Sequence, residues 1–471
     1  MCAHTYFLLR LNKKTCFVKI KKKKCVYTQK IMINRDFYLK QLINSRFNGF
    51  PKVITGIRRC GKSYLLNELY RRFLLLDGVE PGSIIQIDLD EAKNASLRNP
   101  FNLCKYVMDK TEGKERCYVF IDEIQKVFTV INPALTEGKT VLATEKDKEV
   151  VSFVDAVLEI SNKKNIDLYI TGSNSKRLSS DIVTDFRDKA TNIHLQPLSF
   201  EEYYDYVQGD ASSALNSYLE FGGMPLAVLK NGEAEKKQYL KQLFKLTYFK
   251  DILEHNKLKS SEVLDSLARI LGECSGGLLN ADKISRTYQS VLKEKIGRST
   301  IEKYLSYFED AFLISKVSRF DLKGRKEIGA LRKYYFADPG LRNSCIDFTF
   351  PDYGLCLENV IYNELVYHGY DVHTGVFAFF GKNKQGITIR KEGEVDFFAV
   401  KEIKRYYIQV ADNRDDLKTR ERETGPYRYL KDQVKKIVVL NQPLRECLDK
   451  DGNTIIGATD FLLKFLKDSD I

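Results

Sequence analysis

Val53-Ile-Thr-Gly-Ile-Arg-Arg-Cys-Gly-Lys-Ser63 is the stretch that decides the fold. Val53-Ile-Thr55 has the apolar, β-branched pattern of a buried strand. Gly56-x-x-x-x-Gly61-Lys62-Ser63 follows it directly, and Leu65, Leu66, Leu69, Phe73 and Leu74 then recur at helical spacing. A strand, a glycine-bearing loop and a helix in that order are the context a phosphate-binding loop requires. Glycines let the chain curl so that successive N–H groups point inward as an anion nest. The helix N-terminus adds partial positive charge. Gly56, Ile57, Arg58, Arg59, Cys60, Gly61, Lys62, Ser63 and Tyr64 are therefore the candidate nucleotide contacts. Lys62 is placed to reach the β- and γ-phosphates, and Ser63 supplies a hydroxyl to Mg²⁺, so the expected ligand is ATP with Mg²⁺. The competing reading is an ordinary turn, but the four fixed positions seldom fall by chance between a strand and a helix.

Downstream, Cys117-Tyr-Val-Phe-Ile-Asp122-Glu123 is an apolar run ending in two carboxylates. A carboxylate at the C-terminal end of a parallel strand faces the ligand crevice. Asp122 is the candidate metal ligand beside Ser63, and Glu123 the candidate general base for water. A third run ends in Thr171-Gly-Ser-Asn-Ser175, where Asn174 or Ser173 is placed to orient water. The candidate catalytic set is Glu123, Lys62 and Asn174. Ile84-Ile-Gln-Ile-Asp88 and Ile193-His-Leu195 are further strand patterns, and helical patterns alternate with all of them. This alternation implies an α/β fold with a parallel sheet covered on both faces.

The 471 residues imply about three domains at roughly 150 residues each. No apolar run approaches the roughly 18 residues that span a bilayer, so no membrane partner is expected. Nine of the thirteen excess positive charges fall between Arg10 and Lys30, before the first acid at Asp36. Residues 1–31 read as a disordered basic extension, or as sequence preceding a natural start at Met32. The remaining chain is only mildly basic, a weak argument for nucleic acid. The opening segment lacks the order of a signal peptide. Ten cysteines without a C-x-x-C pair read as reduced thiols of a cytoplasmic protein. The five histidines form no metal-ligand spacing.

Taken together, several segments resemble a prokaryotic family of AAA-type P-loop ATPases. They are the loop itself, Phe120-Ile-Asp-Glu-Ile-Gln125, Tyr169-Ile-Thr-Gly-Ser-Asn-Ser175, Pro197-Leu-Ser-Phe-Glu-Glu-Tyr203, Phe221-Gly-Gly-Met-Pro225, Tyr334-Tyr-Phe-Ala-Asp338 and Leu357-Glu-Asn359. The resemblance runs from about Arg35 to the end. It implies a P-loop NTPase parallel sheet, then a helical lid, a winged-helix module and an α/β domain of unknown function resembling the restriction-endonuclease, or PD-(D/E)XK, fold. The expected limits are 32–205 for the ATPase domain, 206–260 for the lid, 261–343 for the winged-helix module and 344–471 for the nuclease-like domain.

Two departures stand out. The family has Gly-Arg shortly before its Pro-Leu-Ser-Phe motif, whereas Asp188-Lys189 aligns here and Arg187 is offset. Lysine lacks the bidentate fork, so a protein partner or a second copy is a candidate source of an arginine finger. An insertion at about 128–150 is expected to form a surface loop.

In the third module, Asp282-Lys-Ile-Ser285 leads in and Gly297-Arg-Ser-Thr-Ile-Glu-Lys-Tyr304 opens the next helix. Ser299 and Glu302 have the spacing of a capping box. Ile301, Leu305 and Phe308 are expected inside, with Arg298, Thr300 and Lys303 facing outward toward DNA, the candidate partner. In the last domain, Glu358, Glu364, Glu394 and Asp396 stand at positions where the resembled nucleases carry acids. Gln409 and Ala411 replace the final acid and the lysine. Nuclease activity is accordingly not expected. The leading expectation is an ATPase that couples nucleotide state to a DNA- or protein-binding module. The alternatives are a binding switch with little turnover and an ATP-regulated nuclease.

Overall fold

A computed structural model describes residues 32–144, 146–172, 190–255, 262–292, 296–349, 352–382, 386–411 and 425–468. Ser173, Asn174, Arg187, Asp188, Lys189 and the basic extension lie outside the described residues.

β1 (Lys52–Thr55), β2 (Ile84–Asp88) and β3 (Cys117–Asp122) are followed by a short antiparallel pair, β4 (Val130–Ile131) and β5 (Val150–Val151). That pair brackets the segment expected as a surface loop. β6 (Ile166–Thr171) and β7 (Thr191–His194) complete an all-parallel sheet in the order β2-β3-β6-β1-β7. The central strands β3, β6 and β1 are buried on both faces, which is why they read as apolar runs. Val119, Ile121, Leu168 and Ile170 pack with Leu103, Val107, Val157 and Ile160 of the helices Pro100–Thr111 and Phe153–Ser161. On the opposite face Tyr70, in the helix after the loop, meets Phe120 and Tyr169 at ring distances of 5.7 and 5.1 Å. Beneath it the fully buried Lys52 pairs with Asp167, which also accepts from Tyr169 (2.7 Å) and from Phe47 N (3.1 Å).

Four helical stretches follow: Phe200–Val207, Ala211–Phe221, Pro225–Val228 and 233–255. The break falls at Gly222, where φ is 70° and an added Cβ would lie 2.1 Å from Asp338 Oδ1. Only glycine fits there. Helices Glu262–Glu273, Ala281–Leu292 and Arg298–Asp310 then lead into the antiparallel hairpin β8 (Ile314–Asp321) and β9 (Lys326–Phe336), and Leu279 bridges to Arg332. Ile301, Leu305 and Phe308 are buried. The capping box at Ser299 does not form. The helix already begins at Arg298 with Gly297 as its cap. Arg298 draws Glu302 into an ion pair at 2.8 Å and also reaches Asp282 at 3.4 Å.

β8 pairs in parallel with β10 (Asp371–Lys382). β11 (Thr388–Lys401), β12 (Lys404–Ala411), β13 (Lys435–Leu440), β14 (Cys447–Leu448) and β15 (Thr454–Gly457) extend the same sheet to eight strands in the order β14-β15-β13-β12-β11-β10-β8-β9. The hydrogen-bonded sheet thus runs through the 343/344 limit drawn from sequence. The helix Tyr353–Tyr367 lies against it, with Tyr362 stacked on Tyr335 at 4.5 Å.

Three of the sequence motifs meet at one joint. Asp338 caps the helix Pro339–Cys345 and accepts from Gly223 N at 2.6 Å. Asn359 exchanges hydrogen bonds with both backbone groups of Phe336, at 2.8 and 2.7 Å.

Candidate functional site

The loop after β1 has the backbone its sequence requires. Gly56 sits at φ 140°, with Leu195 O only 2.1 Å from where a Cβ would be, and Gly61 at φ 106°. Arg59 takes the left-handed region as well, at φ 64°. Cys60 Sγ donates to Leu195 O at 3.3 Å, which fixes the loop to the segment after β7. Arg35 reinforces that link from below. It is buried and donates to Gln196 O (2.6 Å) and Cys60 O (3.4 Å), while its Nε lies 3.1 Å from Glu202. Lys62 is buried, and its Nζ donates to Gly56 O (2.9 Å) and Ile57 O (3.2 Å) inside the curl. Ser63 is exposed at the mouth.

The parallel register levels the site. Ile54 faces Thr171 across β1 and β6, and Ile121 faces Ile170 across β3 and β6, so Asp122 stands at the height of Thr171. The ends of β1, β6 and β3 therefore share one edge. Asp122 is buried, and Thr171 donates its hydroxyl to the Asp122 carboxylate. Glu123 N points back at Thr171 Oγ1 (3.3 Å) and Asp122 Oδ1 (3.2 Å). Glu123 itself is left-handed at φ 55°, which swings its side chain out of strand geometry, and Gln125 donates to its carboxylate. A non-glycine residue held at positive φ stores strain of about 1–3 kcal/mol, a cost that recurs where a side chain must be aimed. Thr171 and Gln125 escaped the sequence reading as site residues. The strand-end position of Thr171 was the available signal.

The stretch 233–255 closes on the loop. Tyr248 Oη donates to Arg58 O at 2.8 Å, and Arg58 Nη1 reaches both oxygens of Asp251, at 2.8 and 2.6 Å.

The acids picked out in the last domain separate into two places. Glu358, Glu394 and Asp396 converge on Lys333 Nζ at 3.0, 3.1 and 3.4 Å. Burial opposes the Lys333 charge, but Glu358, Asp396 and Glu394 together hold its pKa above the usual value. Gln409 Oε1 accepts from Asp396 N at 3.4 Å. Glu364 is not part of this cluster; it accepts from Phe200 N at 2.5 Å, at the ATPase end of the helix.

A β2-β3-β6-β1-β7 parallel sheet, a glycine-hinged loop between β1 and its helix, and an aspartate closing β3 define a P-loop domain of the AAA class. The family described as AAA domain matches residues 48–204, and a domain of unknown function matches residues 212–352. An uncharacterized protein of Haemophilus influenzae is 31% identical over 445 residues, spanning 92% of this chain and 100% of its own length. An uncharacterized protein of Methanocaldococcus jannaschii is 28% identical, over 79% of this chain and 82% of its own. The chain belongs to the same family as the Haemophilus protein, and its residues 48–204 carry the AAA domain. Among solved structures, the ADP form of the Aeropyrum pernix ORC2 protein aligns at TM-score 0.35 and 11% identity, covering 72% of this chain and 97% of that one. No helix among the described residues is long and apolar enough to cross a membrane.

Proposed function

We propose that the chain is an ATPase that binds Mg-ATP in the loop 56–64 and hydrolyses it to ADP and phosphate. The observation that carries this reading is the levelled edge, with the loop after β1, Thr171 and the Asp122–Glu123 pair side by side. The donor set fits the ligand: a curl of amides at a helix N-terminus, a buried lysine, and a hydroxyl and a carboxylate for one hard cation. Ser63 and Asp122 would hold Mg²⁺, whose charge offsets that developing on the phosphate oxygens. Lys62 leaves the loop carbonyls for the β- and γ-phosphates. Glu123 takes the proton of the attacking water as the new P–O bond forms and the β–γ bridging bond breaks, leaving ADP. Asn174 is assigned to orient that water.

The helices 262–310, the Leu279 bridge and the β8–β9 hairpin follow one another in the order of a winged helix, which supports reading 261–343 as that module with DNA as its partner. Arg298, however, is already engaged by Glu302 and Asp282, which leaves Thr300 and Lys303 to meet phosphates. A homo-oligomer or protein partner remains part of the proposal, as does a cytoplasmic setting. Nuclease action is not proposed. Gln409 and Ala411 supply neither the final acid nor a lysine, and Glu358, Glu394 and Asp396 are already engaged in ion pairs with Lys333.

The test is ATP hydrolysis with and without DNA. Lys62→Ala should abolish nucleotide binding. Glu123→Gln should bind ATP normally and lose turnover by two or more orders of magnitude, in the range of a removed general base at about 10²–10⁴-fold. Unchanged hydrolysis in both variants removes the reading, and DNA-independent rates remove the coupling.

A further inference from the structure

Arg58 occupies the middle of the phosphate loop, yet its guanidinium is held by the lid. Nη1 sits on both carboxylate oxygens of Asp251, in the helix Lys250–His255, and Tyr248 ties the Arg58 carbonyl to the same segment. Partial burial opposes the Arg58 charge. The Asp251 carboxylate outweighs it, and Glu123 and Asp90 add to the same effect, so the pKa stands above the usual value. Arg58 therefore lies within electrostatic reach of the carboxylate assigned to activate water. Its pair with Asp251 is 39% and 41% exposed at the side chains. Such a pair contributes only about 0–1 kcal/mol to stability, so it is cheap to exchange. A triphosphate offers more negative charge than one carboxylate, in a form that the flat guanidinium fork grips well.

We propose that Arg58 is a cis-acting arginine for the γ-phosphate, and that Asp251 holds it on the lid until ATP takes it over. The inference rests on the ATPase reading and names a residue that does the work expected of a finger from outside. In the γ-phosphate position Arg58 offsets charge in the transition state. Its release from Asp251 removes one tie between the lid segment and the loop while the Tyr248 bond stays, so nucleotide state is transmitted to the helices that follow.

The two nucleotides separate the roles, because ADP has no γ-phosphate. Binding of Mg-ATP and Mg-ADP is measured in the Glu123→Gln background, and single-turnover hydrolysis in the otherwise native chain. Arg58→Ala should weaken ATP about ten-fold or more, as expected for a lost hydrogen bond to a charged group, and leave ADP unchanged. Its single-turnover rate should fall by about 10³-fold, and Arg58→Lys should not restore it. Asp251→Asn should tighten ATP and leave ADP alone. Equal effects on both nucleotides, or an unchanged single-turnover rate in Arg58→Ala, overturn the proposal. If Arg58→Ala binds neither nucleotide, Asp251→Asn decides: selective tightening of ATP supports the proposal, and no change overturns it. A native chain without affinity for ATP or ADP would instead defeat the ATPase reading itself.

Discussion

Thr171 is fully buried, and its hydroxyl joins two groups that the site needs in fixed positions. It donates to Asp122 and accepts from Glu123 N. A hydrogen bond to a charged group contributes about 1.5–3 kcal/mol. Valine has the same shape without the hydroxyl, so Thr171→Val should fold and should bind ADP as the native chain does, since Lys62 and the loop are untouched. Its hydrolysis should drop at least ten-fold, because Asp122 and Glu123 lose the group that sets their mutual orientation. Turnover equal to the native rate would show that the hydroxyl only satisfies a buried carboxylate. That Lys62 and Ser63 open the helix after β1 and that Asp122 closes β3 could be read from the sequence, because those residue types at that spacing are uncommon outside a strand–loop–helix turn. Thr171 was not legible in this way, because threonine at a strand end is also an ordinary β-former. The left-handed backbone of Glu123 was equally hidden, since no residue type announces it.

At the scale of elements, the helices Phe200–Val207 and Tyr353–Tyr367 meet through the buried Glu364, whose carboxylate accepts from the Phe200 amide. Glu364 is buried, and desolvation raises its pKa to about 8; the Phe200 amide opposes that rise, and Glu202 and Glu201 add to it. Asp338, in the joint between the lid and β9, is pushed up to about 7 by burial against the amides of Gly223 and Leu341. Desolvation and Glu358 bring Asp396 to about 6. Each folded-state value lies above that of a free carboxyl, about 4, so the native state holds these protons where the unfolded chain has released them. The stability they contribute is full below about pH 4 and is lost as pH rises toward 8. The melting temperature should therefore fall from pH 5 to pH 8. Glu364→Gln, which keeps an acceptor for Phe200 N, should melt higher than the native chain at pH 8, with the gap closing toward pH 5. Parallel curves for the two proteins would rule this out. Strands β1, β3 and β6 were legible because every residue in them is buried and most are apolar; the edge strands β2 and β7 gave shorter signals, Ile84-Ile85 and Ile193. β8 was not legible, because the charged residues of a half-exposed strand break up such a run, as in Ile314-Ser-Lys-Val-Ser-Arg-Phe-Asp321. The supposed cap at Ser299 failed for a related reason: an ion pair from Arg298 competed for the same Glu302.

At the scale of the whole molecule, the modules do not separate where the sequence pattern changes. Three kinds of bond cross residue 343. β8 pairs with β10, Lys333 is neutralised by Glu358, Glu394 and Asp396, and the amide opening the Phe200–Val207 helix is satisfied by Glu364. The sequence could not disclose this, because strand pairing between distant segments leaves no local periodicity. A chain ending at Asn343 would keep every residue of the ATPase domain and the winged-helix candidate, yet leave the Lys333 ammonium without its carboxylates. Removing the partners of one buried charge costs about 3–5 kcal/mol, and the exposed edge of β8 and the unpaired Phe200 amide add to that. Against a typical total stability of about 5–15 kcal/mol, the loss is large enough to abolish cooperative folding of the segment 261–343. Residues 32–343 should therefore lack a cooperative transition for that segment in calorimetry and should aggregate through the open edge of β8. Lys333→Met in the same truncated chain removes the unpaired charge and should recover part of the transition. A sharp two-state melt of residues 32–343 carrying the native lysine would show that the sheet is divisible at 343 after all.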